Sequence, residues 1–154
     1  MTDAVVSGAL AVATLNAVSG LLGGWLWRRG EPTERSASAF WVLLRVGQGS
    51  ALTLALAVGS LAAAGKYSSD RLFYLYALLP LAVGFIAEQL RVAAAQTILD
   101  QRGLDGAEAV GGLPEVEQRG IVIEIVRREI GVMATSAIVV VFLALRAAGT
   151  AHGF

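Results

Sequence analysis

Four long apolar runs occupy most of this 154-residue sequence, at residues 5–27, 40–65, 72–95 and 130–148. Each is about as long as the roughly 20 residues that an α-helix needs to cross the hydrocarbon core of a membrane. The ionisable residues inside the runs are Arg45, Glu88, Arg91 and Arg146. The runs therefore predict an all-α integral membrane protein, folded as a four-helix transmembrane bundle.

The composition of the chain also indicates a membrane protein. Charged residues make up 16% of the chain and hydrophobic residues 56%, whereas a soluble domain has about 25% charged residues. We expect a single domain over residues 1–154, with spans at approximately 4–27, 38–65, 71–98 and 129–148. The formal net charge of zero provides no basic field for nucleic acid, so we expect no nucleic-acid partner.

Several kinds of chemistry lack the residues that they need. The chain has no cysteine, which excludes disulfides, thiol catalysis and cysteine-bound clusters. Its single histidine, His152, is at the extreme C-terminus, so a bis-histidine haem within one subunit is excluded. With no catalytic motif in view, we expect no catalytic residues, metal or cofactor. The first apolar run lacks a basic n-region and is long for a signal peptide, so we expect it to remain as a spanning helix.

Turn and capping residues give the expected helix ends. Pro32 ends the first helix, Ser36 or Ser38 can cap the second, and Ser69 or Asp70 can cap the third. Pro80 should kink the third helix. Residues 100–113 are expected to form the longest loop, and Pro114 begins a fourth helix of some 30 residues, longer than a membrane requires. Its first half, residues 115–129, is therefore expected outside the hydrocarbon or along the interface, on the cytoplasmic side.

The basic residues near the ends of the runs predict an orientation. One side carries Arg28, Arg29, Arg35, Arg102, Arg119, Arg127 and Arg128, and the other carries Lys66, Arg71 and Arg146. Because Lys and Arg accumulate in cytoplasmic loops, loops 28–37 and 99–114 are expected in the cytoplasm and both termini outside. Arginine-rich basic usage with abundant Ala, Gly and Val is typical of a GC-rich bacterial genome, so the expected location is the bacterial inner membrane.

Small residues recur on two of the predicted helices. The second helix has a ridge of small residues at intervals of four: Gly47, Ala51, Ala55, Gly59 and Ala63. The first helix has a strip that includes Asn16, Gly20 and Gly23. Small residues let helix backbones approach closely in a membrane. The two strips predict either packing of these helices within one chain or a seam between copies of the chain.

Polar residues inside or beside the runs form a second pattern. Arg45 and Gln48 share a face of the second helix, and Glu88 and Arg91 share a face of the third. Antiparallel packing puts these pairs at a similar depth. The entrance of the fourth helix adds Glu124, Arg128 and Glu129.

Two interpretations of this polar group stay open. The arginines can reach the headgroups as anchors, with Glu88 neutralising one of them. Alternatively, the group lines a water-filled cavity, because charges inside a membrane often mark the path of a solute or proton.

Two functions follow from these alternatives. The first is a small homo-oligomeric channel or transporter whose cytoplasmic half is lined by the polar group. The second is a non-catalytic accessory or assembly subunit of a larger membrane complex, docked through the long fourth helix and loop 99–114. An enzyme acting on lipid is a third possibility. The expected partners are the lipid bilayer and either further copies of this chain or other membrane subunits.

Overall fold

The computed structural model describes residues 2–153. Across this range the chain contains helices and connecting turns but no strand. The helices are α1 (Thr2–Arg29), α2 (Glu34–Ala63), α3 (Arg71–Gln101), the short α4 (Ala107–Gly111) and α5 (Glu115–Thr150). The four long helices are apolar enough to cross a membrane. The prediction of four long apolar helices is therefore confirmed.

Local capping accounts for where α2 and α3 begin. The backbone N–H of Ser36 donates to the Thr33 side chain, so α2 begins at Glu34, and the prediction of a Ser36 or Ser38 cap is wrong. Asp70 caps α3 by accepting from the N–H of Leu72 at 2.9 Å, as predicted. The helix then continues through Pro80, which is buried inside it.

The connection from α3 to α5 is more ordered than the predicted loop. It contains the single-turn helix α4, between Gly106 and Gly112. Gly103 and Gly106 have positive φ angles of 65° and 89°, a backbone conformation that favours glycine. These two glycines let the chain leave α3 and reverse toward α5 within a few residues.

The four long helices run up and down, with α5 between α1 and α3. The most extensive packing is that of α5 against α1 and against α3; α2 packs mainly on α1, and its packing against α3 is more limited. One buried cluster joins the first half of α1, the second half of α2, the start of α3 and the end of α5. A second cluster, which includes Leu26, Phe40 and Ile130, joins the opposite ends.

Hydrogen bonds hold each end of the bundle together. The backbone N–H of Ser69, in the α2–α3 turn, donates to the carbonyl of His152 at 2.9 Å. At the opposite end, Arg127 Nε donates to the carbonyl of Trp27 at 3.0 Å. The start of α1, the end of α5 and the α2–α3 turn therefore lie at one end, and the α1–α2 and α3–α5 connections lie at the other.

The ridge of small residues on α2 packs within the chain over only part of its length. Gly47, Ala51 and Ala55 of α2 are buried, and a Cβ on Gly47 would lie 3.1 Å from Asn16 Oδ1 of α1. Gly59 is open, with nothing within 4 Å of an added Cβ. Burial of the ridge within the chain therefore ends at Ala55, and its last two residues, Gly59 and Ala63, are exposed.

The glycines of α1 face α5 as well as the predicted partner α2. A Cβ on Gly20 would lie 2.6 Å from Ile138 Cδ1 of α5. A Cβ on Gly23 would lie 2.4 Å from the Phe40 ring and 2.7 Å from Ala134 Cβ. Gly20 thus serves the α1–α5 contact, and Gly23 lies where α1, α2 and α5 meet.

Candidate functional site

The polar residues of α2 and α3 meet in one network. Arg45 Nη1 donates to Gln48 Oε1 at 2.6 Å and to Glu88 Oε1 at 2.5 Å, which joins α2 to α3. Gln48 Nε2 lies 3.4 Å from the same Glu88 oxygen. The spacing of Arg45 and Gln48, three residues apart on one face of α2, lets both side chains reach a single carboxylate.

Glu88 connects this pair to a third helix through Arg91. Arg91 Nε donates to Glu88 Oε2 at 3.0 Å, and Arg91 Nη1 lies 3.7 Å from Glu129 Oε1 of α5. The Arg91 guanidinium also lies 5.4 Å from the ring centre of Trp41. Charges of alternating sign therefore run from Arg45 through Glu88 and Arg91 to Glu129, across α2, α3 and α5, and their formal sum is zero.

The network passes from an exposed edge to a more buried interior. The Arg45 side chain is 53% exposed, Glu88 27% and Glu129 18%. Each charged group has an opposite charge beside it, which is the condition under which ionic groups persist in a low-dielectric interior. Arg45 alone is exposed enough to extend toward a headgroup region, so the anchoring interpretation fits this end of the network only.

Glu124 and Arg128 lie outside the network. Glu124 pairs with Arg102 at 2.6 Å, near the exposed end of α3. Arg128 is exposed and has no ion pair within residues 2–153. Helical geometry separates them from Glu129: at about 100° per residue, neither position faces the same way as Glu129. Contrary to the prediction, Glu124 and Arg128 therefore do not belong to one polar group with Arg45 and Glu88.

A cavity of about 300 Å³ adjoins the network between α2 and α3. Its polar lining is Asn16, Gln48, Glu88 and Ser136, and most of its other walls are apolar. Two further lining residues, Gly49 and Gly84, have no atom within 4 Å of an added Cβ, so their missing side chains help to leave this space unfilled. Glu88 therefore belongs both to the ion network and to the wall of a small, mostly apolar cavity.

Several contributing residues were not predicted as members of this site. Trp41 lies one helical turn before Arg45, and that spacing could have identified it. Asn16 donates to the Gly47 carbonyl at 3.3 Å, the kind of cross-helix bond its buried amide allows. Thr53, Thr135 and Ser136 instead donate to carbonyls of their own helices. Their hydroxyls are satisfied locally, which sequence alone does not distinguish from a cross-helix bond.

No metal site accompanies the network. Within residues 2–153, no group of three His, Asp or Glu side chains is arranged to hold a metal ion. In the same part of the chain, no buried side-chain nitrogen or oxygen lacks a hydrogen-bond partner. The polar groups of the site are thus satisfied by one another in this arrangement.

Comparison of the chain with protein-family models, curated proteins and solved structures gave no match in any of the three.

Proposed function

We propose that this chain is a multi-pass protein of the bacterial inner membrane, with loops 28–37 and 99–114 in the cytoplasm and both termini outside. Four apolar helices of sufficient length support the membrane location. Large apolar side chains on their outer faces, among them Leu21, Phe85 and Phe142, are exposed and suited to contact lipid. The excess of basic residues at the end that carries the α1–α2 and α3–α5 connections supports the orientation.

Within that membrane, the function best supported is passage of a small solute or ion by an assembly of several copies. The observation that carries this proposal is that Glu88 belongs to the ion network and also lines the cavity. A carboxylate in such a place can hold a proton or a cation and release it through rearrangement of its arginine partners.

The arrangement of helices explains why several copies are proposed. The cavity has Asn16 on one side and Ser136 on another, so a single bundle holds a pocket rather than a continuous pore. The α2–α3 contact beside it is limited compared with those of α5. Copies arranged with their α2–α3 seams toward a common axis would join such cavities into a path, and the exposed Gly59 on α2 would suit close approach of a second copy.

Reconstitution into lipid vesicles tests this function, with H⁺ and K⁺ as the probes. The wild type should form a closed oligomer in mild detergent and raise the flux of one probe above that of empty vesicles. Glu88→Gln should abolish most of that flux. Glu124→Gln is the matched control, because it removes the same charge from an exposed pair outside the cavity. A monomer without flux, or equal flux in both variants, would count against the proposal.

A second candidate is an accessory or assembly subunit, and the exposed start of α5 favours it. Val116 and Val122 are exposed on the part of α5 that extends beyond the apolar span, and α4 lies beside it. The Arg102–Glu124 pair links this region to the end of α3. Stoichiometric co-purification with another membrane protein, lost on Val116→Glu, would support this role over conduction.

A further inference from the structure

A second and larger cavity lies on the opposite side of α5 from the α2–α3 cavity. It is a groove of about 1140 Å³, with α1 and α3 as its walls and α5 as its floor. The groove forms because α1 and α3 each pack extensively against α5 rather than against one another. Gly24 of α1 widens it, since an added Cβ there would have no atom within 4 Å.

The lining is apolar along most of its length and basic at one end. Leu21, Ile86 and Val139 are among the apolar side chains that line it. At the end that carries the α1–α2 and α3–α5 connections, Arg28 of α1 and Arg128 of α5 line it as well. Both arginines are exposed, and neither forms an ion pair with another residue in the 2–153 range. None of the described lining residues is acidic.

The neighbouring basic residues are engaged differently. Arg127 donates to the Trp27 carbonyl, and Arg29 lies 4.0 Å from the ring centre of Trp25. Arg28 and Arg128 differ from these neighbours. Their charges have no partner within the described part of the chain, and both residues line an otherwise largely apolar groove. Such charges favour an anionic group at the same place.

The length of the groove agrees with one leaflet of a bilayer. From Arg128 to Val139 the floor spans about 16 Å along α5, at 1.5 Å per residue. Half of a hydrocarbon core about 30 Å thick is about 15 Å. The basic end is the one proposed to face the cytoplasm, and basic pockets between helices on that side suit anionic lipid headgroups.

We propose that this groove binds an anionic phospholipid of the cytoplasmic leaflet. The phosphate lies between Arg28 and Arg128, and an acyl chain follows the apolar walls past Gly24 and over α5. The proposal rests on the membrane location proposed above but not on transport, so loss of flux and loss of lipid binding are separate results.

Lipid retention by the purified protein provides the test. The probes are phosphatidylglycerol, phosphatidylcholine and inorganic phosphate, with native mass spectrometry and melting temperature as the readouts. Phosphatidylglycerol should be retained and should raise the melting temperature, whereas phosphatidylcholine should have a weaker effect. Inorganic phosphate should have none, because the proposed site needs the acyl chain as well as the headgroup.

Two variants separate the headgroup from the acyl chain. Arg28→Gln with Arg128→Gln should weaken phosphatidylglycerol binding by about tenfold or more. Gly24→Leu should fill the channel and reduce retention of both lipids, while leaving the lipid-free melting temperature near that of the wild type. Arg35→Gln with Arg119→Gln is the matched control, since it removes two exposed charges near the same end from residues that do not line the groove.

Three outcomes would overturn the proposal. They are equal retention of the two lipids by the wild type, undiminished binding in the Arg28/Arg128 variant, and loss of an oligomer rather than of lipid in Gly24→Leu. The last would identify the groove as a contact between helices of neighbouring copies.

Discussion

The buried side-chain amide of Asn16 in α1 donates a hydrogen bond to the backbone carbonyl of Gly47 in α2, 3.3 Å away. The same amide nitrogen donates to the Val12 carbonyl one turn earlier at 2.9 Å. A Cβ added at position 47 would lie 3.1–3.2 Å from the Asn16 amide, so a larger residue there would have to displace that side chain. One polar side chain and one missing side chain therefore fix how closely α1 and α2 approach.

Gly47→Leu should lower the melting temperature in mild detergent, because the added side chain must displace Asn16 and separate α1 from α2. Forcing extra atoms into such a contact typically costs about 1–3 kcal/mol. Gly59→Leu is the matched control on the same helix, where the added atoms meet open space. It should leave the melting temperature of a single copy unchanged or slightly higher, because leucine favours a helix more than glycine does. A change in oligomeric state with Gly59→Leu alone would identify that surface as the seam between copies.

Two adjacent glycines of α1 should respond in opposite ways to alanine. Gly23→Ala places a Cβ 2.4 Å from the Phe40 ring and 2.7 Å from Ala134, where three helices meet, and should destabilise by about 1–3 kcal/mol. Gly24→Ala meets no neighbouring atom and should stabilise by up to about 1 kcal/mol through helix propensity. Thermal unfolding of both variants checks the order. Equal stabilities would mean that α1 is rotated from the arrangement described.

The ion network should give unequal double-mutant recoveries. Glu88→Gln leaves Arg45 and Arg91 without their shared carboxylate and should destabilise by about 1.5–3 kcal/mol. Adding Arg45→Gln should recover much of that loss, because the Arg91–Glu129 pair then remains balanced. Adding Arg91→Gln should recover less, since it leaves Arg45 and Glu129 without partners.

Double-mutant cycles on unfolding measure these coupling energies. The exposed Arg102–Glu124 pair is the reference and should couple by less than about 1 kcal/mol. If the coupling energy between Arg45 and Glu88 is no larger than that of the reference pair, the network behaves as a set of independent surface ion pairs.

Single cysteines should report the orientation in intact cells, because the chain has no native cysteine. Tyr67→Cys, in the exposed α2–α3 turn, should react with an impermeant thiol reagent from outside. Glu31→Cys in the α1–α2 connection and Ala107→Cys in the α3–α5 connection should react only after permeabilisation. Ser68 and Thr150 are unsuitable because both are buried at that end of the bundle. Labelling of Glu31→Cys in intact cells would reverse the proposed topology.

The helices were predictable because apolar length and capping residues are local properties. Asp70, for example, caps α3 through a bond to a residue only two positions away. The start of α2 was misplaced by a similarly local competition, since Thr33 rather than Ser36 or Ser38 occupies the cap. The meeting of Arg45 with Glu88 followed from their similar depth in antiparallel helices, which spacing alone can estimate.

Rotation of the helices about their axes was the part that sequence could not provide. Ala and Gly are spread over several faces, so the sequence allowed the strip of Gly20 and Gly23 to pack on α2 or on another copy. In the structure Gly20 faces α5, and Gly23 faces both α2 and α5. For the same reason, Glu124 and Arg128 were predicted to join Glu129 in one polar group. Their side chains project from other faces of α5. The α2–α3 cavity and the groove between α1 and α3 both depend on these rotations, so neither could be predicted from the sequence.

The central position of α5 has a consequence for biosynthesis. The ribosome makes α5 after the other three long helices, yet α5 provides the most extensive contacts of both α1 and α3. Until it arrives, Gly20 has no Ile138 to pack against, and Arg91 has no Glu129. Before α5 is made, the main contact available to α3 is therefore the limited one with α2. The bundle is complete only when its last long helix packs between α1 and α3.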